Sequence, residues 1–138
     1  FNKEGDEMLF TKESDYAIRI VRALKSSEQR NVQEICTTEE IPKAFCYKIM
    51  KKLRRAGIVE AVRGAGGGFR LARSTRELTL YDVIMAVEPD FSVIECIHHF
   101  CNQNSGSKHC KVHAELLRIQ HTVEELLQKK TLYDILEG

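Results

Sequence analysis

The chain has 138 residues, 43% of them hydrophobic and 30% charged, with 21 Lys or Arg against 20 Asp or Glu. That suits one domain, or one small domain with an attached arm, with enough apolar content for a core. A net charge of +1 by itself says little about partners; no apolar run approaches the roughly 20 residues that cross a bilayer, and no charged-then-apolar leader is visible, so the protein is read as cytoplasmic and without a membrane partner.

Residues 1–7, F-N-K-E-G-D-E, are polar and aperiodic and are set aside as a leader or expression remnant. Over residues 11–26, Tyr16, Ala17, Ile20, Val21 and Leu24 recur at helical spacing and leave Arg19, Arg22 and Lys25 outward, which predicts an amphipathic first helix. Asn31 is a good N-cap for a short second helix over residues 32–37, with Val32, Ile35 and Cys36 inward. Pro42, favoured in a first helical turn, opens a third helix to residue 56, closed by Gly57.

On that third helix Phe45, Cys46, Ile49, Met50 and Leu53 form one stripe expected to be buried. Lys43, Ala44, Tyr47, Lys48, Lys51, Lys52 and Arg55 lie on the other side. Two short helices joined by a tight turn, the second basic on its free face, read as a helix-turn-helix with a recognition helix. Residues 58–62 and 69–71 are β-rich runs separated by R-G-A-G-G-G, which predicts a hairpin whose glycine-rich tip can approach a phosphate backbone closely. A nucleotide-binding loop is the rival, but no Gly-Lys-Ser/Thr follows the glycines.

Charge distribution follows the same division. Residues 42–76 hold ten Lys or Arg and one acid, Glu60, whereas residues 77–138 hold ten acids and five bases. Positive charge concentrated in one local module is expected of a surface that meets phosphates.

Thr79, with Asp82 three residues on, caps a fourth helix over residues 80–87, and Glu88-Pro89 stops it. Between Cys96 and His113 the chain reads C-I-H-H-F-C-N-Q-N-S-G-S-K-H-C-K-V-H, so three of the five cysteines fall within fifteen residues at spacing C-x4-C-x8-C. Thiolates suit iron-sulfur clusters and other soft metals, with imidazole an acceptable fourth donor. Zinc is disfavoured by the lack of paired C-x2-C knuckles, and disulfides by the odd count and absent secretory segment; a thiol-only sensor or an inert loop are the remaining alternatives. His98, His99 and His109 read as solvated loop histidines, and Cys36 and Cys46 as core packing.

Residues 114–128 place Leu116, Leu117, Ile119, Gln120, Val123, Leu126 and Leu127 along a helix face broader than so small a core needs, which predicts pairing with a second copy. Thr131 and Asp134 cap a last turn over residues 132–136, expected against the end of that long helix. The division is therefore a leader (1–7), a winged helix-turn-helix domain (8–89), a cysteine-rich loop (90–113), and a dimerisation helix with C-terminal turn (114–138). The fold class is mainly α with a small β wing.

With helix-turn-helix, glycine-rich wing and cysteine loop in that order, the chain resembles the Rrf family of bacterial winged-helix transcriptional regulators, which includes iron-sulfur sensors of the IscR and NsrR kind. The most specific element is K-L-R-R-A-G-I-V-E-A-V-R-G-A-G-G-G-F-R-L-A at residues 52–72. It departs from the family pattern at Ala65, where proline is usual, and at Phe69, where tyrosine is common. M-L-F-T-K-E-S-D-Y-A-I-R at residues 8–19 and I-P-K-A-F at residues 41–45 are similar to it as well.

The resemblance implies a homodimer presenting two winged helices to successive grooves of a partly palindromic double-stranded DNA operator. It also implies an iron-sulfur cluster, 2Fe-2S or 4Fe-4S, on Cys96, Cys101 and Cys110, with His113 or Asp15 as fourth ligand. The x8 gap is longer than is usual in the family.

The reading is a DNA-binding regulator, a repressor rather than an enzyme, sensing nitric oxide, iron or redox state. Lys43, Ala44, Tyr47, Lys48, Lys51, Arg63 and Gly64 are the expected DNA-facing positions. The alternative is an iron-sulfur or thiol-based redox or cluster-carrier protein without operator binding, which would have no use for a recognition helix or a wing.

Overall fold

The computed structural model describes residues 10–26, 28–64, 66–94, 97 and 100–138. Among these residues, six α-helices and a two-stranded hairpin follow one another as α1 (Lys12–Ala23), α2 (Val32–Glu39), α3 (Lys43–Arg55), β1 (Val59–Val62), β2 (Gly68–Leu71), α4 (Leu80–Val87), α5 (Lys111–Lys129) and α6 (Leu132–Glu137). The proposed leader at residues 1–7 and Cys96, His98 and His99 lie outside the described residues.

The helix starts are dictated locally. Asn31, Thr79 and Thr131 each accept a hydrogen bond from the backbone N–H three residues on, while Glu34, Asp82 and Asp134 accept one from the capping residue's own N–H. Each such capping box satisfies two backbone donors that a helix start would otherwise leave open. Two boundaries differ from expectation. α2 continues through Thr38 and Glu39 and ends at Glu40, which adopts a left-handed conformation at φ 57°, and Pro42 caps α3 from outside rather than entering its first turn. Gly57, at φ 80°, ends α3 as its position suggested.

The core lies where α1, α2, α3 and α4 meet. Ala17, Ile20, Val21, Leu24, Ile35, Cys46, Ile49, Leu53, Leu78 and Val83 are buried together there. Burying a Leu or Ile contributes roughly 1.5–3 kcal/mol relative to leaving it in water, so these residues fix how the helices cross.

Phe45 does not join them. It is 39% exposed, on the first turn of α3, and meets the ring of Tyr16 on α1 edge-on, 5.7 Å between centroids. Cys36 and Cys46 are buried in this core, as expected.

The hairpin is antiparallel, pairing Val59 with Leu71 and Val62 with Gly68. A third strip of backbone joins it, because Arg30 exchanges both hydrogen bonds with Phe69, each at 2.8 Å. Gly68 is required at that seam: a Cβ there would stand 2.3 Å from the Arg30 carbonyl oxygen.

The C-terminal turn also departs from expectation. α6 packs back on the helical core rather than against the end of α5, with Leu132 buried, its N–H donating to the Leu78 carbonyl at 2.8 Å, and the Tyr133 N–H donating to Thr75 at 3.0 Å. Arg76 covers the Tyr133 ring at 3.7 Å. The cause is apolar surface: Leu132 and Leu136 find Ile18, Val21, Leu80 and Val83 on α1 and α4.

Candidate nucleic-acid interface and cysteine site

Recognition-helix geometry follows from the buried stripe. With Cys46, Ile49, Met50 and Leu53 inward, Lys43, Ala44, Tyr47, Lys48 and Lys51 are left exposed on the outer face of α3. Beside it, Tyr47, Met50, Lys51, Arg54 and Phe69 line a shallow groove between α3 and the hairpin, and the Arg54 guanidinium stands 5.9 Å from the Phe69 ring.

Arg63 and Gly64 follow β1 at the base of the hairpin tip, both exposed. Gly64 has φ 103°, a conformation that side chains resist, so the tip's tight return depends on it. The tip is tethered from behind by Gln29, whose amide donates to the Gly66 carbonyl.

Not all of the outer face is free of protein partners. Glu13, in the first turn of α1, receives Lys48 on one carboxylate oxygen at 2.9 Å and Lys52 on the other at 2.7 Å. Burial alone would raise its pKa, but the hydrogen bonds and charges of Lys52 and Lys48 prevail and hold it below the usual carboxylate range. Lys52, expected to be simply outward, is thus half-buried in an ion pair. The sequence carries no local sign of this triad, because Glu13 lies 35 and 39 positions from its two lysines and an acid in a helix's first turn is already favoured by the dipole.

Within the cysteine loop, Asn102–Asn104 form a 3-10 turn for which Cys101 is the N-cap. Asn104 accepts the Cys110 N–H at 2.9 Å, and Cys110 in turn caps α5, its Sγ accepting the His113 N–H at 3.4 Å. Because α5 begins at Lys111, three residues earlier than the periodicity indicated, His113 lies inside its first turn. Cys101, Cys110 and His113 are all half-buried.

Asp15 is elsewhere, on α1, where Arg19 binds both its oxygens at 3.1 and 3.4 Å and also donates to the Glu39 carbonyl. Among the described residues no three of the His, Cys, Asp and Glu side chains converge on one point. Within the single chain, the Cys110 sulfur meets the backbone N–H of His113, and Asp15 lies on α1 paired with Arg19. Cys96, His98 and His99 lie outside the described residues, and His109 is exposed, in keeping with a solvated histidine.

A family model described as Rrf2, iron-dependent transcriptional regulator, matches residues 10–138. The chain belongs to the Rrf2 family. It is 33% identical over 133 residues, covering 95% of this chain and 86% of the other, to protein aau3 of Rhizobium meliloti. It is 28% identical to the HTH-type transcriptional regulator NsrR of Bacillus subtilis, over 95% of this chain and 92% of that one.

Among solved structures, CymR, the global cysteine regulator of B. subtilis, superimposes with a TM-score of 0.75 at 23% identity, over 93% of this chain and 95% of that one. T. potens IscR does so with a TM-score of 0.73 at 21% identity, over 92% of this chain and 85% of that one. The expected mainly helical winged fold is the one these Rrf2-type structures share. The family model is described as a transcriptional regulator, and the NsrR relative as one of helix-turn-helix type. Among the described residues of this one, no helix is long and apolar enough to cross a membrane.

Proposed function

We propose that this Rrf2 regulator is a homodimeric repressor whose hold on a double-stranded operator is set by an iron-sulfur cluster, 2Fe-2S or 4Fe-4S, in the cysteine loop. Cys96, Cys101 and Cys110 are its thiolate ligands, with His113 or Asp15 as the fourth. The observation that carries the reading is the position of Cys110. Its sulfur sits at the N-terminus of α5 and accepts a backbone N–H there, at the joint between the cysteine loop and that helix.

The donor set fits a cluster: sulfur ligands on a turn-rich loop, with an imidazole one helical turn from Cys110. When bound, the cluster supplies a centre whose ligation responds to nitric oxide, iron supply or redox state. The chain's own residues do the rest. Cys110 ties the loop to the start of α5, so any change in how the loop is held reaches the helix that leaves Val112, Ile119 and Leu126 exposed.

Toward DNA, Lys43, Ala44, Tyr47, Lys48 and Lys51 face a major groove, and Arg63 with Gly64 enters the flanking minor groove. The basic face and the glycine tip support this assignment, and a cluster carrier would need neither.

The test begins with anaerobic purification, visible absorption and native mass spectrometry, which report cluster and dimer together. Iron should be lost from Cys101→Ala and Cys110→Ala. Wild-type iron content and spectrum in both variants would remove the cluster from this loop. Gel shifts on genomic fragments then test the regulator itself, with Arg63→Ala expected to weaken specific binding by about 1–3 kcal/mol. No retarded fragment at low salt, with or without the cluster, would overturn it.

A further inference from the structure

Glu13 is a carboxylate built into the edge of a surface that otherwise presents positive charge. Its two oxygens hold the ammonium groups of Lys48 and Lys52, one each, at 2.9 and 2.7 Å. Lys48 lies on the recognition helix between Ala44 and Lys51, 55% of its side chain open to solvent. The Glu13 side chain is only 24% exposed, and the first turn of α1 that carries it is anchored. The hydroxyls of Thr11 and Ser14, on either side of Glu13 in sequence, both donate to the Glu88 carboxylate at the end of α4. Among the described residues, no carboxylate lies within ion-pair distance of Lys43, Lys51 or Arg63.

We propose that Glu13 is a specificity-determining residue, an internal stand-in for a DNA phosphate that withholds Lys48 and Lys52 from DNA until the other contacts of α3 and the hairpin are in register. The inference rests on the reading of α3 as the DNA-facing helix. A carboxylate and a phosphate compete for the same ammonium donors. On a random duplex, each lysine must leave Glu13 to reach a phosphate, so the exchange yields little. On the operator, Lys43, Lys51 and Arg63 hold the backbone in place and make the exchange local. The result is weak non-specific binding with specific binding largely preserved, which widens the ratio that matters in a genome full of competing sites.

Glu13→Gln keeps the shape and the hydrogen-bond acceptor but removes the charge. Two duplexes serve as probes: sheared genomic DNA of mixed sequence, and a duplex enriched by repeated selection on the wild-type protein. Affinity is measured by fluorescence anisotropy across a salt series.

On mixed DNA the variant should bind about two- to tenfold more tightly, from the worth of two partly exposed ion pairs. Its log–log salt slope should steepen by about one to two, since each freed lysine displaces a counterion. The selected duplex should gain less, so discrimination falls. Adding Lys48→Gln and Lys52→Gln to Glu13→Gln should return the slope to the wild-type value or below, which separates freed lysines from a general loosening of the fold.

An unchanged slope and affinity on mixed DNA, with the wild type binding normally, would overturn the role of Glu13 and leave the regulator reading intact. A steeper slope that survives removal of both lysines would overturn it too. Wild-type protein that binds neither duplex would remove both readings.

Discussion

Cys36 and Cys46 show how burial alone can decide a thiol's chemistry. Both lie in the core between α2 and α3. Burial, reinforced by a hydrogen bond and charge coupling with Cys36, pushes the Cys46 thiol up to about 12 from an ordinary 9.0. The folded protein therefore keeps a proton that the unfolded chain releases. The stability this confers is fully present below about pH 9 and is lost as pH rises toward 12.

Denaturant titrations of wild type and Cys46→Ala at pH 8 and pH 10.5 should show the wild type's advantage narrowing at the higher pH. A constant gap would mean that the thiol is not held neutral. Iodoacetamide should likewise modify Cys101 and Cys110, which are half-buried, well before Cys46. The fourth ligand is open to the same single-residue logic: of Asp15→Ala and His113→Ala, the true ligand's variant should alter the visible spectrum and speed cluster loss, while the other leaves both unchanged. Because Asp15 is already held by Arg19, its engagement would first have to break that pair.

At the level of elements, the caps and the hairpin seam make separable predictions. Thr79→Ala removes a capping box from α4 and should cost about 1 kcal/mol, read as a lower denaturant midpoint at unchanged slope. Gly68→Ala should cost more, because its Cβ meets backbone, the Arg30 carbonyl at 2.3 Å, and backbone has no rotamer to yield. A Gly68→Ala variant as stable as the wild type would contradict the seam.

These two sites also mark what the sequence could disclose. Thr79 with Asp82, like Asn31 with Glu34 and Thr131 with Asp134, is a three-residue signal, and helix starts were legible from it. The hairpin itself was legible from its glycines. Its third strip was not, since one residue, Arg30, carries the pairing and has no periodicity to show it.

The same distinction explains Phe45, Gln120 and α6. Helical spacing put Phe45 on the apolar stripe, but whether a stripe's end is covered depends on what the other helices pack over it, and here Tyr16 meets it only edge-on. Gln120 was counted within the broad face of the long helix, yet it is 2% exposed and is the buried residue of α5. Its amide binds the Phe91 carbonyl, the Val93 N–H and Glu124, tying α5 to the segment after α4. A polar residue in an apolar stripe hints at such a partner without naming it. Nothing in residues 131–138 indicates that they return to α1.

Over the whole molecule, α5 is the element whose burial is least complete. Its 19 residues extend about 28 Å at 1.5 Å per residue, while Val112, Ile119 and Leu126 remain exposed. A second copy crossing along this side would cover them, and a two-headed protein then reads two half-sites about one helical turn apart.

Leu126→Glu tests this more cleanly than a change at a buried position, because Leu126 is 64% exposed within the single chain. The folded protomer should tolerate the glutamate with stability near wild type, whereas in a subunit seam the same carboxylate would lose its water without gaining a partner. Light scattering at micromolar concentration should show a dimer for the wild type and a monomer for the variant. The variant should retain binding to mixed-sequence DNA and lose most of its preference for the selected duplex. A variant that stays dimeric would place the seam elsewhere on the molecule. A wild type that is already monomeric would remove the two-headed model, and with it the route by which the cysteine loop could set the spacing of two DNA-reading helices.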